Sequence, residues 1–403
     1  GNEVYMRIGM MADAYKPKVS GVTSYITLSK RWLEKAGHEV FVFTFGEEDY
    51  VDDEPSIIRS PGLPLVDTGF YISLRYSRPA RQLLYTMDLV HVHHPFISGT
   101  LALTYAIPRN IPVVFTNHSR YDLLTNAYLP ILPDSFGETA MRAYLPPFCQ
   151  ACDMVIAPSG SMRAILQDFG VDVPIEVIPN GVELDAIRTC ATLTDRATMG
   201  FTPDQVVFTY IGRLAPEKNL NVLLRAFRGV ASAYGNACLL LVGDGPEREN
   251  LEDSATNMGI ADKVHFTGMV PFDQVPCYLA TADAFVIAST SETFGLSLVE
   301  AMAAGLPVLG IDSPGIRDII EDGKTGFLSQ DDVASFTAKM ARLASEHELR
   351  RQMGAEAKKA SGTYDIKITT QTMIDCYQQL INNRSYRKNS LRYRINRALD
   401  YWR

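Results

Sequence analysis

Two carboxylates separated by seven residues, Glu292 and Glu300, are the residues of this 403-residue chain whose spacing best suits chemistry on a polar ligand. The apolar run 284–288 before them predicts a buried strand, and the run 296–304 that contains Glu300 predicts a helix. A strand-loop-helix turn points free backbone N–H groups at a ligand, and its helix start favours anions. One carboxylate can therefore reach a sugar ring and the other a ribose, with a diphosphate held between them.

Arg213 and Lys218 form a second charged group, in the segment G-R-L-A-P-E-K. They follow the β-rich run 206–211 and precede a helical pattern at 220–234, so they flank a strand-to-helix turn. Two cations at such a junction suit a diphosphate, because arginine presents a planar fork of donors and lysine a point charge. A solvated turn with two surface cations is the alternative when this segment is considered alone.

The G-R-x4-K and E-x7-E segments, in this order, resemble the retaining GT-B glycosyltransferases of glycosyltransferase family 4, and the resemblance is nearly continuous over 206–328. It implies that Arg213 and Lys218 neutralise the diphosphate leaving group of a nucleotide sugar. It implies further that Glu292 positions the sugar hydroxyls and that Glu300 holds the ribose. The expected fold is therefore GT-B, in which two doubly wound Rossmann-like α/β domains face a central cleft.

Other positions of the expected donor site also come from this resemblance. Backbone N–H groups near Phe294, Gly295 and Leu296 are expected to stabilise the charge that develops on the diphosphate. The stretch from Gly268 to Val270 is expected to meet the nucleotide base through its backbone.

The first half of the chain carries weaker signals of the same kind. Gly21 lies near a predicted helix start, where it could accept the donor phosphate or leave room for it. His118 ends a predicted strand at 113–118, and the family has a histidine there that donates a hydrogen bond at the reaction centre of the donor sugar. A polar residue that only caps the next segment is the alternative for His118.

Three further histidines, at 91, 93 and 94, could suggest a metal site. His91 and His93 share one face of a predicted strand, but no acidic triad lies nearby in the sequence, and the family neutralises the diphosphate with cationic side chains. We therefore expect no metal and no cofactor besides the nucleotide-sugar donor, with these two histidines structural and His94 lining the acceptor side. For the C-x-x-C pair, Cys149 and Cys152, buried thiols are favoured over redox or metal use.

Strand and helix patterns alternate along the whole chain, which predicts parallel sheets covered on both faces. The turn signal P-N-G-V near 179–183 resembles the interdomain hinge of the family. We expect an acceptor-side Rossmann-like domain at 1–182, a nucleotide-sugar-binding Rossmann-like domain at 183–362, and a return helix with a basic amphipathic tail at 363–403.

The C-terminal tail is the strongest sequence signal for a membrane. Residues 384–403 hold seven Arg or Lys and one acid, whereas the whole chain has a net charge of −8. Leu391, Ile395 and Trp402 fall on one face of a predicted helix, which could lie on an anionic membrane surface or pack on the first domain. The aromatic-basic stretch 70–78 and the apolar loop 121–132 could also meet lipid.

No apolar run approaches the length of about 20 residues that spans a bilayer, and no signal peptide is evident at the N-terminus. The scattered cysteines fit a reducing compartment. We therefore expect a cytoplasmic protein that is peripheral on the inner face of the cell membrane.

The first-domain pattern A-Y-K-P, then S-G-V, then N-H-S, is most similar to the diacylglycerol glucosyltransferases of the family. That resemblance implies retaining transfer of a hexose, with UDP-glucose as the favoured donor, to a membrane lipid such as diacylglycerol. A soluble acceptor, a phosphatidylinositol-type acceptor of mannose, a sugar-nucleotide epimerase and a bilobal binding protein are the alternatives. No nucleic-acid partner is expected, and the oligomeric state stays open.

Overall fold

A computed structural model of the protein describes residues 4–18, 20–47, 49–65, 68–121, 123 and 134–388. The chain divides into two compact units: the first holds residues 1–179 and the chain from Lys367 onward, and the second holds residues 180–366. The predicted membrane-binding part of the tail and most of the predicted lipid-contacting loop lie outside the described residues. The domain limits inferred from the sequence stay a prediction.

The first unit contains a parallel sheet whose strands are nearly continuous apolar runs, as is typical of strands buried on both faces. Its strands are β1 Arg7–Met11, β2 Glu39–Phe45, β3 Ile57–Ser60, β4 Leu63–Pro64, β5 Tyr71–Ile72, β6 Leu89–Val92, β7 Val113–Thr116, β8 Met154–Ala157 and β9 Ile175–Val177. Within the described residues, the large sheet has the order β3-β2-β1-β6-β7-β8-β9, and β4 and β5 form a separate antiparallel hairpin.

Three helices of this unit begin directly after a capping serine, at Ser20, Ser77 and Ser159. The described helices within residues 1–179 are α1 Gly21–Lys35, α2 Arg78–Leu84, α3 Ile97–Tyr105, α4 Asp134–Ala151 and α5 Gly160–Asp168. Ser20 accepts a hydrogen bond from Thr23 N–H at 3.2 Å, which satisfies one of the free donors at the start of α1. Phe43 and Val42 alternate along β2 into two different buried apolar clusters, so both faces of the sheet are covered.

The second unit repeats this arrangement. Its strands are β10 Val206–Ile211, β11 Ala237–Val242, β12 Val264–Phe266, β13 Ala284–Ile287, β14 Val308–Ile311 and β15 Gly326–Ser329. Its helices are α6 Leu184–Leu193, α7 Leu220–Ala233, α8 Arg248–Asn257, α9 Val275–Thr281, α10 Leu296–Ala303, α11 Val333–Ser345 and α12 His347–Ala360. The described strands pair in the order β12-β11-β10-β13-β14-β15, all parallel, and one apolar core encloses them.

The last helix, α13 Ile366–Lys388, belongs to the first unit for almost all its length. Met373, Ile374 and Tyr377 are buried in one of the two apolar clusters of that unit. The helix lies within the predicted third segment, 363–403, and extends to Lys388.

The two Rossmann-like parallel sheets confirm the predicted α/β class. In each sheet the strand order reverses once, between β1 and β6 in the first unit and between β10 and β13 in the second. Open α/β sheets bind ligands at the carboxyl ends of the strands beside such a reversal. The two reversals therefore indicate where the functional residues of each unit should lie.

Candidate active site

The loops that follow β10 and β13 carry the charged residues predicted for the donor site. The loop after β10 holds Arg213 and ends in a short 3-10 turn, Pro216–Lys218. The loop after β13 holds Glu292 and leads into α10. Because the two strands are parallel neighbours, their loops leave the same edge of the sheet side by side.

Lys218 and Glu292 form an ion pair across these loops, with 2.8 Å between Nζ and Oε1. Both side chains are partly buried, with 23% and 17% of their surfaces exposed. Partial burial makes the attraction stronger than in a surface pair, and the remaining exposure leaves both groups within reach of a ligand. The structure thus brings one predicted cation and the first predicted glutamate into direct contact.

Arg213 lies at the exposed edge of the same loop. The hydroxyl of Tyr210 donates to the backbone carbonyl of Arg213 at 2.9 Å, which holds the start of the loop against β10. Among the described residues, no carboxylate pairs with the Arg213 guanidinium. This side chain can therefore turn towards an anion without breaking an ion pair.

The Glu292 loop is held by a close approach to Gly315. Gly295 N–H donates to the Gly315 carbonyl at 3.2 Å. Gly315 has a φ of +81°, and a Cβ at this position would lie 2.3 Å from the carbonyl oxygen of Glu292, so only glycine fits. The sequence analysis did not identify Gly315, although the P-G dipeptide is a recognisable turn signal.

The same contacts correct one expectation about the anion-binding backbone. Leu296 N–H donates to the carbonyl of Phe294 at 2.9 Å, and Gly295 N–H is taken up by Gly315. These two N–H groups are therefore not free in this structure, because the turn that starts α10 uses them internally.

Glu300 lies on α10, where its side chain is partly buried. Removal of the carboxylate from water raises its pKa to about 7, well above the ordinary 4.5. Among the described residues, no donor offsets this burial. A ligand hydroxyl at this position would supply the hydrogen bond that the carboxylate lacks.

Gly268 and Val270 lie in the loop after β12. Gly268 has a φ of +71°, and its carbonyl accepts a hydrogen bond from Gly243 N–H at 3.2 Å. Val270 packs against the core, while Met269 between them is 82% exposed. The structure places these residues at the carboxyl edge of β12, two strands from β10 in the sheet.

In the first unit, His118 follows β7 and is partly buried. Its Nε2 lies 2.9 Å from Nδ1 of His93, and its ring packs on Tyr25 with 4.6 Å between centroids. Burial holds the pKa of His118 well below 6.5, so the ring is neutral near pH 7. This contact with His93, which the sequence pattern did not reveal, occupies Nε2 of His118 and leaves Nδ1 for a ligand.

The other three histidines of the predicted group, at 91, 93 and 94, are buried in the first unit. His91 contacts the Tyr377 hydroxyl and lies 2.6 Å from Thr116 Oγ1, and its ring stacks on His93 at 4.2 Å. His94 is also buried, and its Nδ1 accepts a hydrogen bond from Asp13 N–H at 2.9 Å. His94 therefore supports the loop after β1, so its ring is not on the exposed lining that the sequence analysis expected.

Gly21 is the first residue of α1, next to the switch point of the first unit. A Cβ there would meet nothing within 4 Å, so the space at this helix start is open. Near it, a cavity of about 510 Å³ lies at the carboxyl ends of β1 and β2. Its lining includes Tyr15, Lys18, Arg59 and Tyr71.

The C-x-x-C cysteines do not resemble a reactive pair. Burial raises the pKa of Cys149 to about 12 and that of Cys152 well above its usual value, so both thiols stay protonated. Across the part of the chain that the structure describes, no three His, Cys, Asp or Glu side chains are arranged to hold a metal ion.

Two family profiles match the chain, one for each half. The profile described as Glycosyltransferase Family 4 matches residues 19–186, and that described as Glycosyl transferases group 1 matches residues 192–360. The alpha-monoglucosyldiacylglycerol synthase of Streptococcus pneumoniae is 33% identical over 339 residues, which cover 80% of this chain and 75% of that protein. The chain belongs to glycosyltransferase family 4. It is therefore a glycosyltransferase.

Other relatives of this family 4 glycosyltransferase cover nearly its whole length. The alpha-monoglucosyldiacylglycerol synthase of Acholeplasma laidlawii is 29% identical, over 95% of this chain and 100% of that one. The phosphatidyl-myo-inositol mannosyltransferase of Mycobacterium leprae is 26% identical, over 94% of this chain and 98% of that one.

Solved structures show the GT-B fold of the glycosyltransferase. Sucrose-phosphate synthase from Thermosynechococcus elongatus superposes with a TM-score of 0.75 at 21% identity, over 94% of this chain and 100% of that chain. HepE from Anabaena, in complex with UDP and glucose, superposes with a TM-score of 0.73 at 20% identity, over 93% of this chain and 100% of that chain. Of the helices that are described, none is long and apolar enough to cross a membrane.

Proposed function

We propose that this glycosyltransferase transfers glucose from UDP-glucose to a diacylglycerol-type membrane lipid, with retention of the anomeric configuration. The observation that carries the proposal is the Lys218–Glu292 ion pair at the switch point of the second unit. In this proposal, the cation of the pair binds a diphosphate and the carboxylate binds sugar hydroxyls. The names of the two relatives that are monoglucosyldiacylglycerol synthases support the sugar and the acceptor.

On the donor side, Lys218 and Arg213 take up the two phosphates. These two cationic side chains stabilise the negative charge that grows on the diphosphate as the glycosidic bond breaks. Glu292 then accepts hydrogen bonds from the sugar hydroxyls, and Glu300 accepts them from the ribose. Since Glu300 has an elevated pKa, ribose binding is strongest when the carboxylate is ionised, above about pH 7.

At the reacting carbon, the bond from C1 of glucose to the phosphate oxygen breaks while the acceptor hydroxyl oxygen attacks from the same face. The hydroxyl proton passes to the departing phosphate oxygen, so no protein base is required. His118, which burial keeps neutral, donates a hydrogen bond to the sugar and does not exchange its proton during the reaction.

For the acceptor, the β4–β5 hairpin of the first unit is the proposed contact with the lipid surface. Leu63 and Ile72 are a directly opposed cross-strand pair, 74% and 47% exposed, and Leu74 beyond them is 91% exposed. The exposed guanidinium of Arg75 follows at once, which suits anionic headgroups at the inner face of a cell membrane. The cavity beside Tyr15 and Lys18 is the proposed site for the glycerol end of the lipid.

The test measures release of nucleoside diphosphate and formation of glycolipid. UDP-glucose, GDP-mannose and UDP-galactose are compared, each with no acceptor, with myo-inositol 1-phosphate, and with liposomes containing diacylglycerol or phosphatidylinositol. We expect UDP release from UDP-glucose that rises strongly with diacylglycerol and yields an α-linked product. Glu292→Gln should abolish transfer while the protein stays folded, because the charge on which the sugar and Lys218 depend is removed.

Other outcomes separate the alternatives. Equal release in the presence of a soluble acceptor would replace the lipid by that acceptor, and release from GDP-mannose onto phosphatidylinositol would replace both substrates. A β-linked product would overturn the proposed retention. Binding of nucleotide without turnover under every condition would favour a binding protein over an enzyme.

A further inference from the structure

We infer that Asn219 is a positioning residue for Lys218: its side chain ties the loop that carries Lys218 to the loop that carries Glu292. The inference rests on the proposed function, in that Lys218 is taken to meet the donor diphosphate. It adds Asn219 to the residues of the proposed donor site, which the Lys218–Glu292 ion pair alone does not identify.

The backbone of Asn219 has an unusual conformation. It has φ +55° and ψ +36°, in the left-handed region that few residues other than glycine and asparagine adopt. This conformation ends the 3-10 turn Pro216–Lys218 and starts α7 at the next residue. The direction in which Lys218 leaves the turn therefore depends on the residue at 219.

The side chain of Asn219 makes the second contribution. Its amide nitrogen donates to the carbonyl of Ala288 at 3.0 Å and to the carboxylate of Asp331 at 3.2 Å. Both partners are acceptors, so only the amide nitrogen can face them. Ala288 is the first residue of the loop that leads to Glu292, and thus one amide group joins three loops at the carboxyl edge of the sheet.

A second, weaker contact supports the same link. The hydroxyl of Ser291 donates to the backbone carbonyl of Glu217 at 3.3 Å. The residues before Lys218 and before Glu292 are therefore joined to each other independently of the ion pair. Because the loops are already held together, the Lys218 ammonium can leave Glu292 for a diphosphate without a loss of loop position, which is a form of pre-organisation.

The chain contains a matched control for this arrangement. Asn110 in the first unit also ends a 3-10 turn, Ile107–Arg109, and has φ +57° and ψ +33°. Its amide nitrogen likewise donates to a backbone carbonyl, that of Arg384 at 3.3 Å. Asn110→Gly thus removes a similar amide donor from the same backbone geometry, together with the hydrogen bond that Oδ1 of Asn110 accepts from the Arg384 guanidinium, at a position with no role in the proposed donor site.

The experiment measures the dissociation constants of UDP and UMP, and of GDP and GMP, by calorimetry for the full-length wild type and three variants. Lys218→Ala shows how much of the preference for a diphosphate depends on the ammonium. We expect the ratio of the monophosphate to the diphosphate dissociation constant to fall about tenfold or more. Asn219→Gly keeps the left-handed backbone but removes the amide, and should lower the same ratio by about fivefold. Asn110→Gly should leave the ratio within about twofold of the wild type while lowering the melting temperature.

The outcomes are distinct. If Asn219→Gly has the same ratio of monophosphate to diphosphate dissociation constants as the wild type, the inference is overturned and the proposed function still stands. A wild type that binds neither diphosphate more tightly than its monophosphate would overturn the proposed function, and the role of Asn219 with it. A fall in the ratio for Asn110→Gly as large as that for Asn219→Gly would show general destabilisation and also overturn the inference. Should Asn219→Gly not fold, Ser291→Ala breaks the other link and should lower the ratio in the same direction.

Discussion

The two units differ in the charge of the polar side chains near their switch points: those of the second unit are charged, and those of the first unit are neutral. In the second unit, Lys218 and Glu292 form an ion pair that stays partly exposed. In the first unit, burial lowers the pKa of His93 and His118, so these rings are neutral. The difference is one of solvation. The two charged groups bind each other and keep access to water, whereas the stacked imidazoles are buried and form no ion pair with a carboxylate among the described residues.

This contrast suits two different tasks. A diphosphate carries negative charge that increases as it leaves, and it needs permanent cations. A sugar hydroxyl or an acceptor needs hydrogen-bond donors whose protonation does not change with the local pH, and a desolvated neutral imidazole provides one. We therefore expect the second unit to respond to changes of charge and the first unit to changes of hydrogen bonding.

Among the four variants that compare the two units, the largest effect is expected for Lys218→Ala. Loss of the ammonium should reduce the rate of glucose transfer about 10³-fold, because a pre-organised charge at the leaving group is removed. The measurement is glycolipid formation at saturating donor. Lys359→Ala, which removes an exposed lysine on α12, is the control and should retain the wild-type rate. A comparable loss in the control, or a loss below about tenfold for Lys218→Ala, would contradict the role given to the second unit.

A smaller loss of about 10²-fold is expected for His118→Ala, because one hydrogen bond and no charge is lost. Burial holds the pKa of His118 below 6.5, so the ratio of wild-type to variant rates should stay constant from about pH 6 to about pH 8. His347→Ala, at an exposed position of α12, serves as the control. A ratio that falls steeply with decreasing pH would show that His118 is charged in the working enzyme and would remove the contrast between the units.

The raised pKa of Glu300 in the second unit can be tested through the pH dependence of the free energy of unfolding. Its pKa is about 7 in the folded protein against an ordinary 4.5, so folding favours the protonated form. The associated stability is fully present below about pH 4.5 and is lost as the pH rises through about 7, by roughly 3 kcal/mol.

Glu300→Gln should therefore lack this component. The measurement is the free energy of unfolding in urea at about pH 5 and about pH 8, as the difference between variant and wild type. Glu321→Gln, at an exposed side chain, should show the wild-type dependence. If Glu300→Gln and wild type lose equal stability over this range, the carboxylate is better solvated than its position on α10 indicates.

The smallest effect is expected for Tyr377→Phe, which removes the hydroxyl that contacts His91 on the buried side of the imidazole stack. One buried hydrogen bond is lost, so the free energy of unfolding should fall by about 1–2 kcal/mol. Denaturant unfolding measures it, with Tyr234→Phe as the control. A destabilisation indistinguishable from zero would show that the stack does not depend on α13.

Much of the fold was predictable from local patterns. Continuous apolar runs separated by helical periodicity predicted two doubly wound sheets, because parallel strands buried on both faces have that composition. The position of Arg213 and Lys218 after β10, and of Glu292 after β13, was predictable for the same reason, since each directly follows an apolar strand. A helix after residue 363 was also predicted, and α13 occupies Ile366–Lys388.

The details that depend on contacts distant in sequence were not predictable. The expectation that His94 lines the acceptor side was wrong, because the ring is buried and accepts a hydrogen bond from Asp13 N–H. The two residues are 81 positions apart in the chain, so no local pattern reveals the contact. The backbone N–H of Gly295 was expected to be free, but it donates a hydrogen bond to the carbonyl of Gly315, which lies beyond β14 in the chain. The roles of Asn219 and His93 were invisible for the same reason, because their partners lie in other loops or strands.

The amino-acid sequence by itself determined the fold class, the family and the residue types of the site, because these depend on hydrophobic periodicity and short-range spacing. Only the tertiary structure decided which groups are paired, which are neutral and which are held in place. Burial and cross-loop hydrogen bonds arise when strands distant in sequence become neighbours in a sheet, as β10 and β13 do around Lys218 and Glu292. Protonation and orientation follow from those neighbours, and no local sequence pattern encodes them.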